Sequence, residues 1–159
     1  MQIQISNYRL KIYFSKLEKR TGICSRSFND LDKHCLLWDF DNADLKDIKL
    51  TLIGLQFIYH LPDIFIIKSS LSKYHAYCFA SRSFLDVINI LSATPQIDMD
   101  YLRLGVVRGY FTLRISERNG EKFELVDILK NNNYSDEISP LDITVNEYLT
   151  SNKGGKHNV

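Results

Sequence analysis

The chain has 159 residues, 45% of them hydrophobic and 25% charged, which is enough apolar matter for one self-sufficient core and excludes disorder over most of the length. Its 20 basic and 19 acidic residues leave a net charge of +1, so any attraction to nucleic acid must come from a local groove and not from bulk charge. Cys24, Cys35 and Cys78 form an odd, sparse set that argues against a disulfide framework and a zinc knuckle, and they read as reduced thiols, with Cys35 and Cys78 buried in strands.

The first ten residues alternate polar and apolar without the apolar core of a signal peptide. No apolar run nears the roughly 18 residues needed to span a bilayer. The expected setting is the cytoplasm, with no membrane partner.

Residues 2–6 read as a short strand. The stretch 2–23, which includes Lys16-Leu17-Glu18-Lys19-Arg20, reads as a peripheral helix or edge strand, and 25–33 as a polar connector. Cys35-Leu36-Leu37-Trp38-Asp39-Phe40-Asp41 is apolar, aromatic and bounded by turn formers, which predicts a buried strand. Asn42 or Asp44 is placed to cap the next element, because a short side-chain oxygen accepts the unpaired N–H groups of a helix start. Leu45, Ile48, Leu52, Leu55 and Tyr59 then follow helical spacing, with Pro62 beyond the end. Residues 64–68 and 74–79 predict two strands of a hairpin around the polar turn 69–73. Phe84, Val87, Ile88 and Leu91 mark a second helix over 83–92, and 97–107 is ambiguous between strand and helix. Residues 110–116 and 123–128 predict a hairpin about Asn119-Gly120. Beyond Lys130 the chain turns polar.

This order, β-α-β-β-α-β with an additional C-terminal hairpin strand, predicts an α+β fold with an RRM-like or ferredoxin-like core, an antiparallel sheet with both helices on one face. The expected organisation is a single domain over 1–130, with 1–33 peripheral, followed by a polar and partly disordered tail at 131–159.

Residues two apart on a strand share a face, so Asp39 and Asp41 project together, away from Trp38 and Phe40. Adjacent carboxylates repel unless a cation lies between them, and hard oxygen ligands suit Mg²⁺ or Mn²⁺. The plain alternative is two solvated acids before a helix. The hydroxyl-rich turn at Ser69-Ser70-Leu71-Ser72-Lys73, between Lys68 and His75, could cradle phosphate, or be an ordinary surface turn. Asp98 or Asp100 could bring a third carboxylate. Arg108 and Arg114 carry guanidinium groups that match phosphate geometry. Acids, one His and two Arg on a single sheet face would form a phosphoryl-transfer constellation.

Leu36-Leu37-Trp38-Asp39-Phe40-Asp41, then Ser70-Leu71-Ser72-Lys73-Tyr74-His75-Ala76-Tyr77, then Asp100-Tyr101-Leu102-Arg103 with Arg108-Gly109, then Arg114-Ile115-Ser116 before Asn119-Gly120, resemble in order the motifs of the archaeo-eukaryotic primase (primase-polymerase) superfamily. Lys73 stands where that family has a small residue, and the chain carries no zinc-binding or helicase module. The resemblance implies a metal-dependent nucleotidyltransferase acting in DNA replication, of the kind plasmids, viruses and other mobile elements encode. Asp39, Asp41 and Asp98 or Asp100 would be catalytic and hold the Mg²⁺ or Mn²⁺. Ser70, Lys73, His75, Arg108 and Arg114 would bind the nucleotide. The implied partners are single-stranded DNA template, nucleoside triphosphates, and a helicase or other replication proteins.

Two other readings use the same residues. A non-catalytic RRM-like module would bind single-stranded nucleic acid or a protein through Tyr74, Tyr77, Tyr110 and Phe111. A replication-initiator nuclease would need paired histidines on one strand, whereas His34, His60, His75 and His157 are scattered.

Overall fold

A computed structural model describes residues 2–5, 8–11, 17–117 and 122–151. The elements are β1 (Gln2–Ile5), β2 (Tyr8–Lys11), β3 (Leu17–Ser27), β4 (Lys33–Asp41), α1 (Leu45–Ile58), β5 (Ile64–Ser70), β6 (Lys73–Ser83), α2 (Phe84–Ser92), α3 (Met99–Arg108), β7 (Thr112–Arg114), β8 (Glu124–Leu129) and β9 (Ile143–Ser151). Among the described residues the fold is α+β. It has one seven-stranded antiparallel sheet in the order β7-β3-β4-β6-β5-β8 with β9 also on β3, three α-helices, and a separate β1–β2 hairpin. No helix among them is long and apolar enough to cross a membrane.

The centre of the sheet follows from the apolar pattern. β4 and β5 each pair antiparallel with β6, so they run parallel to each other, and α1 makes the crossover between them. On one face Leu36, Trp38 and Phe40 of β4, Ile64 and Ile66 of β5, and Ala76 and Cys78 of β6 are fully buried. They share a cluster with Ile48, Leu52 and Leu55 of α1 and Val87, Ile90 and Leu91 of α2. Trp38 donates its indole N–H to Thr94 Oγ1 at 3.1 Å, and the Thr94 hydroxyl donates in turn to the Ile90 carbonyl. That leaves no unpaired polar atom beneath the largest core side chain. The cysteines are free and buried.

The helix starts are where the short polar side chains predict them. Asp44 caps α1, accepting from the Lys46 N–H at 2.7 Å, and Ser83 caps α2. The ambiguous stretch 97–107 resolves as α3, capped by Asp98 and ended by Gly109 at φ 75°. The left-handed conformation there is one that glycine adopts without a Cβ clash. The β5–β6 hairpin forms as expected, tightened to a turn at Leu71-Ser72 with Ser72 at φ 57°.

Three expectations about the periphery are corrected. Residues 17–27, read as the end of a peripheral segment and the start of a connector, form β3, which pairs with β4, β7 and β9. Residues 143–151, read as part of a polar tail, form β9 on β3. The predicted hairpin of 110–116 with 123–128 does not form: β7 pairs with β3, and β8 pairs with β5 at the far end of the sheet. In each case a local polar or turn signal is outweighed by pairing with a strand distant in sequence. Asn119-Gly120 lies outside the described residues, as do 152–159 with His157.

Candidate active site

The β4–β6 register places Asp39 opposite His75 and Asp41 opposite Lys73. Both acids are half-buried, in contrast to the fully buried Trp38 and Phe40 that alternate with them. The D-x-D pair and the histidine therefore share one sheet face, on adjacent strands.

The free edge of β4 brings in a third acid. β3 pairs with β4 at Arg26 and His34, so carbonyls farther along β4 need other donors. Helix α3 supplies them: the Asp98 N–H donates to the Asp39 carbonyl at 2.9 Å, and the Tyr101 hydroxyl donates to the Leu37 carbonyl at 2.8 Å. The Asp98 carboxylate in turn accepts the Tyr101 N–H at 2.7 Å. Asp39 and Asp98 then line one cavity of about 230 Å³ with Tyr101, Arg108, Tyr110 and Thr112. Gly105 also borders it and must be glycine, because a Cβ there would lie 2.1 Å from the Phe111 ring.

Three carboxylates crowd this point, with cations beside them. The Asp39 carboxyl is pushed up to about 7, first by burial and then by the neighbouring Asp41 and Asp98 carboxylates, with Lys73 and Arg114 opposing. Asp41 is ion-paired with Lys73. His75 is buried, with Nε2 3.6 Å from Asp39 Oδ1, too far for a hydrogen bond, and Nδ1 3.2 Å from the Tyr77 hydroxyl. Burial, reinforced by Arg114 and Lys73, pulls its pKa down to about 3, so the ring is neutral near pH 7. Arg114 donates to the Ser116 carbonyl and lies over the Phe123 ring at 5.2 Å, and Phe123 sits 5.7 Å from the His75 ring.

The structure thus gathers Asp39, Asp41, Lys73, His75 and Arg114 on one face, with Asp98 and Arg108 at the adjoining cavity. It leaves out two residues of the expected set. Asp100 points to solvent from the first turn of α3, where it meets Arg103 at 3.3 Å. Ser70 lines a different, shallow cavity of about 290 Å³ with Lys68, Leu71, Lys122 and Glu124. Of the four aromatic residues expected to offer a stacking surface, Tyr77 and Phe111 are buried in the core, while Tyr74 and Tyr110 remain half-buried.

Tyr101, Thr112 and Phe123 belong to this region without having been singled out for it. Tyr101 could have been found as a hydroxyl on the buried face of a short helix. Phe123 carries no local signal, because its position depends on the chain passing from β7 to β8.

Among the described residues, no three His, Cys, Asp or Glu side chains converge closely enough to grip a metal ion by themselves. The donor chemistry still fits Mg²⁺ or Mn²⁺, which commonly bind through one or two carboxylates with water and substrate phosphate completing the shell. Asp39 and Asp98 are two such carboxylates at one cavity. No family model matches the chain, and no curated protein or solved structure is significantly similar to it.

Proposed function

We propose that the protein is a primase-polymerase-like nucleotidyltransferase that depends on Mg²⁺ or Mn²⁺ and acts on nucleoside triphosphates along a single-stranded DNA template. The observation that carries this reading is the placement of Asp39 and Asp98 on one cavity that also presents Arg108, where burial and then the Asp41 and Asp98 carboxylates push the Asp39 carboxyl up to about 7. Repulsive acids with cations around them are the arrangement that a phosphate-bound divalent ion relieves. The β4-α1-β5-β6-α2 succession, with strand order β4-β6-β5, supports an RRM-like core to which β3 and β9 are additions.

Asp39 and Asp98 would hold the ion, with Asp41 beside them. Bound there, the ion would supply Lewis-acid activation of the attacking hydroxyl and neutralise phosphate charge. In the tautomer whose Nδ1 accepts from the Tyr77 hydroxyl, His75 would carry its proton on Nε2 and could donate it to a phosphate oxygen without a charge of its own. Arg108 and Arg114 would counter the charge of the triphosphate, and Lys73 restrains Asp41.

The test is nucleotide incorporation on a primed and an unprimed single-stranded template, with Mg²⁺ and with Mn²⁺, for the wild-type chain and Asp39→Asn. Metal-dependent incorporation by the wild type, absent from the variant, supports the reading. A folded wild type that binds neither Mn²⁺ nor nucleotide refutes it.

A further inference from the structure

Helix α1 is apolar on two faces. One carries Ile48, Leu52 and Leu55 into the core. The other leaves Leu50 61%, Ile53 48%, Phe57 81% and Ile58 65% exposed. Leu50, Ile53, Gly54 and Phe57 follow the i, i+3, i+4, i+7 spacing of a single helical stripe. A helix apolar on both sides belongs between two partners, and the described residues supply only one.

Gly54 lies at the middle of this stripe. Glycine inside a helix is less stable than alanine, and nothing within the fold asks for it: a Cβ at Gly54 would have no atom within 4 Å. The missing side chain instead lets another backbone approach at that point, as small residues do at close helix crossings. On either side of Gly54 the surface is self-complementary. Towards the helix start is a groove of about 460 Å³ bordered by Asp44, Leu45, Lys46, Lys49, Leu50 and Ile53. Towards the helix end Phe57 projects. A two-fold axis through Gly54 sets each Phe57 against the other copy's groove, the isologous pattern in which i meets j and j meets i. The same axis brings Lys46 of each copy to the far end of the other helix, whose last turn has no basic residue to offset its carbonyl dipole.

We infer that the exposed face of α1 is a homodimer interface in which two copies of this chain cross antiparallel at Gly54, each Phe57 seated beside Leu50 and Ile53 of the other. The inference is independent of the proposed enzymatic activity, since none of these residues belongs to the Asp39 face.

Sedimentation of the full chain across a concentration series tests it. The expected result is a species of twice the 18.5 kDa chain mass that dissociates on dilution. Phe57→Glu and Leu50→Glu, both at exposed positions, should each shift it to monomer while the circular dichroism melt of the dilute protein stays unchanged. Gly54→Cys should form a disulfide-linked dimer on mild oxidation, because the three native thiols are buried. A wild type that remains at 18.5 kDa at every concentration overturns the inference. So does a dimer that both Glu substitutions leave intact.

Discussion

Asp98 is bound to Asp39 through the backbone, its N–H on the Asp39 carbonyl at 2.9 Å, and their side chains border one cavity. The link decides which of two closely spaced aspartates borders that cavity. Asp98 is the helix cap and sits against β4, whereas Asp100, one position into the first turn past Met99, faces solvent.

Asp98→Asn should therefore remove most nucleotide incorporation, and Asp100→Asn should leave it near wild type. Asparagine caps a helix about as well as aspartate, so the melting temperatures of both variants should stay close to that of the parent. Loss of a carboxylate that holds a phosphoryl-bound metal ion is worth several kcal/mol in the transition state, measurable as a drop in kcat. Equal activity in the two variants would place the third ligand elsewhere.

Asp39 and His75 should impose opposite pH dependences on stability. The Asp39 carboxyl is raised from 3.8 to about 7, so its contribution is complete below pH 4 and is lost as pH rises through 7. Asp39→Asn should be more stable than the parent at pH 8, by on the order of 1–4 kcal/mol, and the difference should vanish near pH 4. His75 is lowered from 6.5 to about 3, so its contribution is complete above pH 6.5 and is lost as pH falls towards 3. His75→Gln should resist acid better than the parent, while its nucleotide affinity drops by roughly 1.5–3 kcal/mol for a lost hydrogen bond to charged phosphate. Urea denaturation at several pH values, alongside nucleotide titration, reads all of these.

Lys73 occupies Asp41 as a cation would. Lys73→Gln should release that carboxylate and raise Mn²⁺ affinity severalfold, measured by calorimetry, while nucleotide affinity declines. The ion pair is partly exposed, and its removal should cost the fold about 1 kcal/mol or less. Unchanged Mn²⁺ affinity would separate Asp41 from the metal site.

Gly105→Ala drives a methyl into the Phe111 ring. Phe111 is fully buried beneath α3, so relief requires the helix to shift. Overpacking of this kind costs typically 1–3 kcal/mol. Thermal unfolding should report the loss, and incorporation should fall with it because α3 carries Asp98.

The centre of the molecule was legible because its signals are local. Trp38 and Phe40 alternate with Asp39 and Asp41 at strand period, and Asp44 and Ser83 stand before apolar runs at helical period. That Asp39 and His75 share a sheet face followed from placing two predicted strands in one sheet. What could not be read depends on long-range pairing. Leu17–Ser27 looks basic and peripheral because its partners, Thr112–Arg114 and Ile143–Ser151, lie far along the chain. Glu124–Leu129 was assigned to its nearest neighbour across Asn119-Gly120, when Ile64–Ser70 offered the better edge. Asp98 and Asp100 could not be separated without knowing that 99–108 is helical and that β4 leaves carbonyls for it to cap.

The pairing of Leu17 with Ser151 and Ile23 with Val145 has a kinetic consequence. On the ribosome β3 emerges long before β9, so an edge of β3 stays open while everything between them is made. Such an edge is a template for stray strands, and closing so long a loop slows folding. The nascent protein is therefore most prone to aggregation until β9 has been made, and a chain cut short of residue 143 keeps that edge open.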